Sequence, residues 1–342
     1  MKLRKLFSFL FIFLLLLVFA VVASYFYTLS PVKNNTENET TLRFKVIPGT
    51  NAKNLGLYLQ EQKMIRSGFI FYVQARLDKV LLKTGIYSVT DTMSVKEILA
   101  LLSSGKQELI SVSIPEGYTI SQIGELLQKK EVTNLDKFIL ATHNSELLHQ
   151  YKIVGDSFEG YLFPDTYYFD PEMNPEVVVK QMVENFFTKI TTIPGLTEKS
   201  PKELQDIVNL ASIVEKEYRL PEEAPLIASV FTNRLRRTIG LYSCATLVYI
   251  ITEIEKRPHP DFITIADTKI DSLYNTYKWH GLPPGPISNP GLIALGAAAN
   301  PPKTNYYYFR LIDTERGKHV FTSNFDDHIE AGETIQTKKN SN

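Results

Sequence analysis

SPKELQDIVNLASIVEKEY, residues 200–218, reads as one helix with both ends signed. Ser200 is a capping residue, Pro201 suits the first helical position, and Glu203 completes a Ser-x-x-Glu capping box. Pro221 marks the end. At about 100° per residue, Leu204, Ile207, Val208, Leu210, Ala211, Ile213, Val214 and Tyr218 cover more than half of the circumference. A narrow polar strip around Gln205, Asn209, Ser212 and Lys216 is left, so the helix is mostly buried. Its last turn carries two carboxylates, Glu215 and Glu217. They lie roughly 200° apart, at opposite edges of the apolar arc, and do not share one site. A carboxyl at the margin of an apolar surface is where desolvation makes a general acid. Either glutamate qualifies, and so does the plainer reading of two solvated helix-end charges.

Upstream of this helix, Phe158 to Tyr168 reads FEGYLFPDTYY, aromatics around Gly160 and Pro164 that suit a folded loop leading to a strand, with Asp165 structural. Downstream, a second helix is expected from about Glu222, with Leu226, Ile227, Val230, Phe231 and Leu235 as its core stripe and Gly240 as its stop. LYSCATLVYI, residues 241–250, follows as an apolar segment interrupted by Ser243 and Thr246. Tyr274 to Tyr277 precede a run from His280 to Gly291 so rich in Pro and Gly that it reads as a rigid cleft wall. Leu292 to Ala299 is a short small-residue helix. Tyr306 to Leu311 and His319 to Thr322 alternate as strands around the turn-prone 313–317. Cys244, the single cysteine, sits in an apolar setting with no histidine beside it and is expected to be a buried structural thiol. The histidines show no metal-ligand spacing, so no metal and no cofactor are expected.

The 342 residues suffice for two or three domains, and 37 basic against 37 acidic side chains leave no electrostatic footprint for nucleic acid. Lys2, Arg4 and Lys5 precede an apolar run, Leu6 to Phe26, long enough to cross a bilayer. A secretory signal would have a shorter apolar core, which favours an uncleaved anchor over cleavage near Ser24. The flanking charges put the start in the cytoplasm and the rest outside. PVKNNTENETT, residues 31–41, reads as a flexible linker.

From Arg43 a strand, a Gly turn and an amphipathic helix follow one another, and the same grammar returns in 111–132, with a fragment at 92–102 after a strand-like 85–89. Leu55-Gly56 matches Ile123-Gly124, and Leu59 matches Leu127. Each unit is too small to bury its face alone, so the units should pack together or on the next domain. Such units behind an anchor resemble the LysM-like region of wall-associated proteins. A plain structural spacer is the alternative, and no aromatic cluster marks a sugar-binding face.

FEGYLFPDTY, LASIVEKE, SVFTNRLR, YNTY, GLPPGPISNPG, NPPKTNYYYF and HVFTSNFDDH, in this order behind a membrane anchor, resemble the endolytic murein transglycosylases, the MltG or YceG-like family. The similarity runs from about Arg43 to Glu330 and is dense from Phe158. It implies an α+β fold: residues 1–28 as cytoplasmic start and transmembrane anchor, 29–42 as linker, 43–110 as LysM-like module. A second strand-helix unit, 111–155, then leads into a catalytic domain, 156–331, and a polar tail, 332–342. It also implies an inner-membrane protein whose extracytoplasmic domain cuts nascent peptidoglycan between MurNAc and GlcNAc, leaving 1,6-anhydro-MurNAc ends. Partners so implied are glycan strands, the membrane through Leu6–Phe26, and cell-wall synthases with division or elongation proteins.

The family's acid is the second Glu of Val-Glu-Lys-Glu, here Glu217, with Glu215 as runner-up. By position in the family-like segments, Tyr277 is the first supporting residue, followed by Tyr274, Asn275 and Thr246. Two departures stand out: Tyr218 follows the acid where relatives have Thr or Ser, and Tyr242 to Thr246 replaces Gln-Thr-Asp-Pro-Thr. Two other readings stay open, a hydrolytic muramidase and a catalytically silent glycan-binding or scaffold protein.

Overall fold

The structure, a computed structural model, describes residues 2–35, 38–105 and 109–339, with side chains from 7 to 332 among them. It divides into two compact units, Met1–Ile110 and Ser111–Asn342.

The first unit opens with helix α1, Lys2–Leu29. Its stretch Phe7–Leu29 has a mean hydropathy of 2.9 and is the one helix among the described residues long and apolar enough to cross a membrane. The apolar side chains along it face outward, uncovered by protein. Its end is not loose. Leu29 is buried in the core of the following module, and the Arg66 guanidinium lies 4.4 Å above the Tyr27 ring. Arg66 also donates to the Pro31 and Val32 carbonyls, at 2.7 and 3.1 Å, and Lys33 pairs with Asp91 at 2.7 Å. The expected flexible linker is therefore tied down at its start, because carbonyls left unpaired after the helix are taken up by a neighbouring cation. Residues 36 and 37 of that stretch lie outside the described residues.

Strand β1, Thr41–Val46, pairs antiparallel with β2, Gly85–Thr90, across helices α2, Ala52–Glu61, and α3, Gly68–Leu77. Helix α4, Val95–Ser104, closes the module and is held at its start by a full capping box of Ser94 and Glu97. Helix α3 has little sequence signature: Phe69 and Leu77 are exposed, while Gln74 is buried. What seats it is the close crossing of α2 at Gly56 and Gly68, where a Cβ on either glycine would come within 2.6 Å of the other's backbone.

Beginning with β3, Ile110–Ser113, whose first residue closes the first unit, the second unit runs α5, Ile120–Lys129; α6, Leu135–Thr142; α7, Ser145–Gln150; β4, Thr166–Phe169; α8, Pro175–Ile190; and α9, Pro201–Glu217. It continues with α10, Ala224–Arg236; α11, Cys244–Tyr249, prolonged by a π-turn to Ile254; α12, Leu292–Ala299; β5, Tyr308–Asp313; β6, Lys318–Thr322; and α13, Phe325–Lys339. Among the described residues the strands form two-stranded ribbons only, β1 with β2, β3 with β4, β5 with β6. The related strand-helix units therefore separate. Two share a ribbon in the first unit, and the third pairs with β4 in the second. Helix α10 begins later than Glu222, since Pro225 belongs in a first turn and 221–223 coil as a 3-10 turn ahead of it. Helix α13 carries the chain to Lys339, through most of the polar tail, and 340–342 lie outside the described residues.

Helix α9 has the expected capping box, with Ser200 and Glu203 reciprocally bonded. It packs against α10, α11 and α12. Its polar strip is not a solvent face. Asn209 donates to the Pro283 carbonyl at 2.6 Å, Gln205 to Pro284 at 3.5 Å, and Ser212 accepts from the Ile287 amide at 3.0 Å. A proline-rich wall has carbonyls without a regular ladder to receive them, and the strip supplies the donors.

Candidate active site

Glu217 is the last residue of α9, and Tyr218 leaves the helix in extended conformation. The partial negative charge of a helix C-terminus and a surrounding apolar core both disfavour a carboxylate there. Burial pushes the Glu217 carboxyl above its ordinary value, while a hydrogen bond from Ser243 and, more weakly, the proximity of His319 pull the other way. Ser243 donates to Oε1 at 2.5 Å, leaving Oε2 without a protein partner among the described residues. Ser243 itself is fixed through Thr276: its amide donates to the Thr276 hydroxyl at 3.1 Å, and Thr246 bonds both the Ser243 carbonyl, at 2.8 Å, and that hydroxyl, at 3.0 Å.

Two clefts meet at Glu217. One, of about 380 Å³, is lined by Thr119, Gln122, Lys216, Tyr249, Glu253 and His259 among others. The other, of about 640 Å³, is lined by Arg234, Tyr242, Ser243, Tyr308, Phe325 and His328 among others. Cys244 lines both. It is exposed rather than buried, with its Sγ 3.1 Å from the Tyr277 hydroxyl. An exposed thiol where a buried one was expected has a simple cause: Cys244 is the first residue of α11 and borders both clefts, while Thr246 and Leu247 turn inward.

Glu215 faces elsewhere, as the helical spacing requires. Its carboxylate accepts from the Gly291 amide at 3.0 Å, and burial with the nearby Glu116 charge pushes it up to about 7. With Lys216, which donates to the Gly117 carbonyl at 3.2 Å, it ties the loop before α5 to the end of the proline-rich wall. It lines neither cleft.

The supporting residues divide. Tyr277 stands beside Cys244 and against the Tyr242 ring, 5.5 Å between centroids, so it borders the junction. Tyr274 packs on Tyr249, 5.2 Å apart, behind the smaller cleft. Asn275 is fully buried and bonds the Thr268 and Ile270 carbonyls at 3.0 and 2.8 Å, so it shapes the loop that carries the tyrosines. Thr246 is likewise buried and acts through Ser243. Asp165 pairs with Lys189 at 2.8 Å and is structural.

Five residues had escaped the reading of the sequence. Ser243 was noted as an interruption and is the direct hydrogen-bond partner of Glu217. Glu253, on the π-turn after α11, puts a second carboxylate in the Glu217 cleft, held by the Thr119 hydroxyl at 2.9 Å. Glu159 is buried beneath it, accepting from the Ile120 amide at 3.2 Å and Asn289 at 2.8 Å, and burial pushes its carboxyl up to about 8. A charge inside the aromatic FEGYLF was the available signal for it. Arg234, in the last turn of α10, lines the larger cleft. Asn289 joins the pieces, since it also accepts from the Leu162 amide at 2.8 Å and donates to the Tyr118 carbonyl at 2.9 Å.

Residues 44–334 match the model of the YceG-like family. The chain is 29% identical over 330 residues to a Bacillus subtilis protein described as an endolytic murein transglycosylase, covering 91% of this chain and 89% of that one. It is 28% identical over 328 residues to a Streptococcus pneumoniae protein of the same description, covering 88% of this chain and 59% of that longer one. The crystal structure of a yceG-like protein from Listeria monocytogenes superposes with a TM-score of 0.58 at 28% identity, covering 86% of this chain and 99% of that one. With most of its length inside the matched region, the chain belongs to the YceG-like family.

Proposed function

We propose that this protein is a membrane-anchored lytic transglycosylase that cuts murein glycan strands internally between MurNAc and GlcNAc, with Glu217 as acid and then base. The observation that carries the reading is a carboxyl raised by burial at the junction of two clefts, with Oε1 engaged by Ser243 and Oε2 without a hydrogen-bond partner among the described residues. The relatives' description as endolytic murein transglycosylases supports the substrate.

In this mechanism protonated Glu217 gives its proton to the bridging oxygen as the bond from that oxygen to C1 of MurNAc breaks through an oxocarbenium-like state. The C6 hydroxyl of the same sugar closes on C1, and Glu217 takes its proton. No water is consumed, the product carries a 1,6-anhydro ring, and the carboxyl returns to its starting state. Ser243 orients the carboxyl, and Tyr277 buttresses the junction through Cys244. The apolar stretch Phe7–Leu29 holds the enzyme at the cytoplasmic membrane, with Lys2, Arg4 and Lys5 inside and both units outside. The module of residues 43–110 serves as a LysM-like glycan contact.

Glu217→Gln in the full chain is expected to lower glycan cleavage by about 10²-fold or more without loss of folding; undiminished cleavage would refute the assignment. Glu253, the second carboxylate of the same cleft, favours a hydrolytic muramidase as the alternative, because it offers a base for water. Mass analysis separates the two: anhydro ends support the lytic reaction, and reducing ends that vanish in Glu253→Gln support hydrolysis.

A further inference from the structure

The two clefts that meet at Glu217 differ in chemistry. In the larger, Arg234 is 8% exposed, and its Nε and Nη1 donate to the carbonyls of Gly240 and Tyr307 at 2.8 and 3.0 Å. Its guanidinium carbon lies 5.0 Å from the Tyr242 ring centroid and 5.4 Å from that of Tyr308. Carbonyls and ring faces offer partial charges only. Among the described residues no carboxylate stands within ion-pair distance of it, and Nη2 donates to none of them. A guanidinium does not shed its proton, so burial without a full counter-charge leaves an electrostatic deficit that an anion would relieve.

A second observation comes from α13. His328 lines the same cleft, stacked on Tyr308 with 5.2 Å between centroids, and its Nδ1 is buried without a hydrogen-bond partner. Burial, with Arg310 and Arg234 nearby, holds this imidazole below its ordinary value, which reports the same positive potential. The smaller cleft is different, with the Glu253 carboxylate on its wall. That carboxylate has its own cation, Lys256 at 3.5 Å, and Lys216 lines the same wall, so the buried cation without a carboxylate partner is a feature of the Arg234 side.

We infer that the Arg234 cleft receives a carboxylate of the muramyl substituent, with Arg234 as its charge partner and His328 beside it. This rests on the murein reading above. Of the two sugars in that polymer only the muramyl residue carries an acid, through its lactyl ether. That acid is free on a stem-free strand, and on a substituted strand it is extended by a peptide with carboxylates of its own. Seating it at Arg234 sets the register, so that the bond presented to Glu217 is the one on the muramyl C1. Arg234 is a specificity residue here, remote from the bond that breaks.

The test uses the full chain in detergent micelles with Glu217→Gln, so that bound strands are not turned over. Probes are stem-free strands, stem-bearing strands, and both after conversion of their carboxylates to methylamides, with titration calorimetry as the readout. Native strands should bind about tenfold tighter than neutralised ones, in line with a charge-assisted hydrogen-bonded pair. Adding Arg234→Gln should erase the difference, and Arg234→Lys should keep part of it. Discrimination on stem-free strands identifies the lactyl acid, and discrimination on stem-bearing strands alone identifies the peptide. Because Arg234 also holds two loop carbonyls, His328→Asp provides a second arm that disturbs no hydrogen bond; it should weaken native strands about tenfold and neutralised strands little. Equal affinity for native and neutralised strands, or discrimination that survives Arg234→Gln, overturns the inference while leaving the murein reading intact. If no strand binds and the unsubstituted protein cleaves none, the murein reading fails and this inference with it.

Discussion

Glu159→Gln should change how stability depends on pH, with a sign fixed by burial. The Glu159 side chain is 5% exposed, and burial is the leading cause that lifts its carboxyl from 4.5 to about 8, with the nearby Glu253 charge adding to it. Its hydrogen bonds from Ile120 and Asn289 favour the ionised form without overcoming burial. A folded-state value above the unfolded one means that the native state binds the extra proton. Stability is therefore fully present below about pH 4.5 and is lost as pH rises through the window to about 8.

The full shift corresponds to an upper bound of about 5 kcal/mol. Polar groups that relax around the charge bring the expected loss to about 2–3 kcal/mol. For a unit of this size that is roughly 5–10 °C in Tm between pH 5 and pH 8.5. Thermal unfolding of the full chain in micelles, followed by circular dichroism, measures it. Glutamine keeps the shape and cannot ionise, so the variant should lose the Glu159 share of the slope between pH 7 and 8.5 and fall less steeply than the parent, the raised Glu217 carboxyl being common to both. It should retain a smaller one below pH 7, where Glu215, also raised by burial, to about 7, still titrates. A variant whose Tm falls with pH as steeply as the parent's across pH 7–8.5 would refute the reasoning.

Ser243→Ala removes a hydrogen bond that favours ionised Glu217 and leaves its burial in place, so the basic limb of the pH–rate profile for glycan cleavage should move to higher pH; a limb that stays put would mean Glu217 is not the titrating acid. Cys244 is the single thiol and lines both clefts, so alkylation by a bulky maleimide should reduce cleavage at least tenfold, bound glycan should slow the labelling, and Cys244→Ala should be insensitive; labelled protein of full activity would remove Cys244 from the junction. Gly160→Ala forces a side chain onto φ +89° with its Cβ 2.7 Å from both Pro286 and Val208, so about 2–4 kcal/mol of stability should be lost in thermal unfolding; a change under 1 kcal/mol would show that the loop and wall are not in that contact.

The helix at 200–218, its cap, and the divergence of Glu215 and Glu217 were legible because each depends on neighbours three or four residues away. The same holds for α12 and the β5–β6 hairpin. The α2–α3 crossing was not, since it rests on two glycines and the space between them, and no periodicity encodes a close approach. Nor was the buried face of the polar strip on α9. Gln205, Asn209 and Ser212 look solvated until the proline-rich wall is laid along them with carbonyls in need of donors.

At the site, the amino-acid order alone determined that one helix end carries two carboxylates facing apart, that a long apolar start precedes everything else, and that a rigid wall follows. These are consequences of bond geometry and local spacing. Which glutamate stands at a cleft was decided by tertiary structure: the end of α9 meets Ser243 and Cys244 on one edge and the Gly291 amide on the other. Glu159, Glu253, Arg234 and Asn289 converge there from segments far apart in sequence, and their chemistry comes from burial and partners that exist only once the chain is folded.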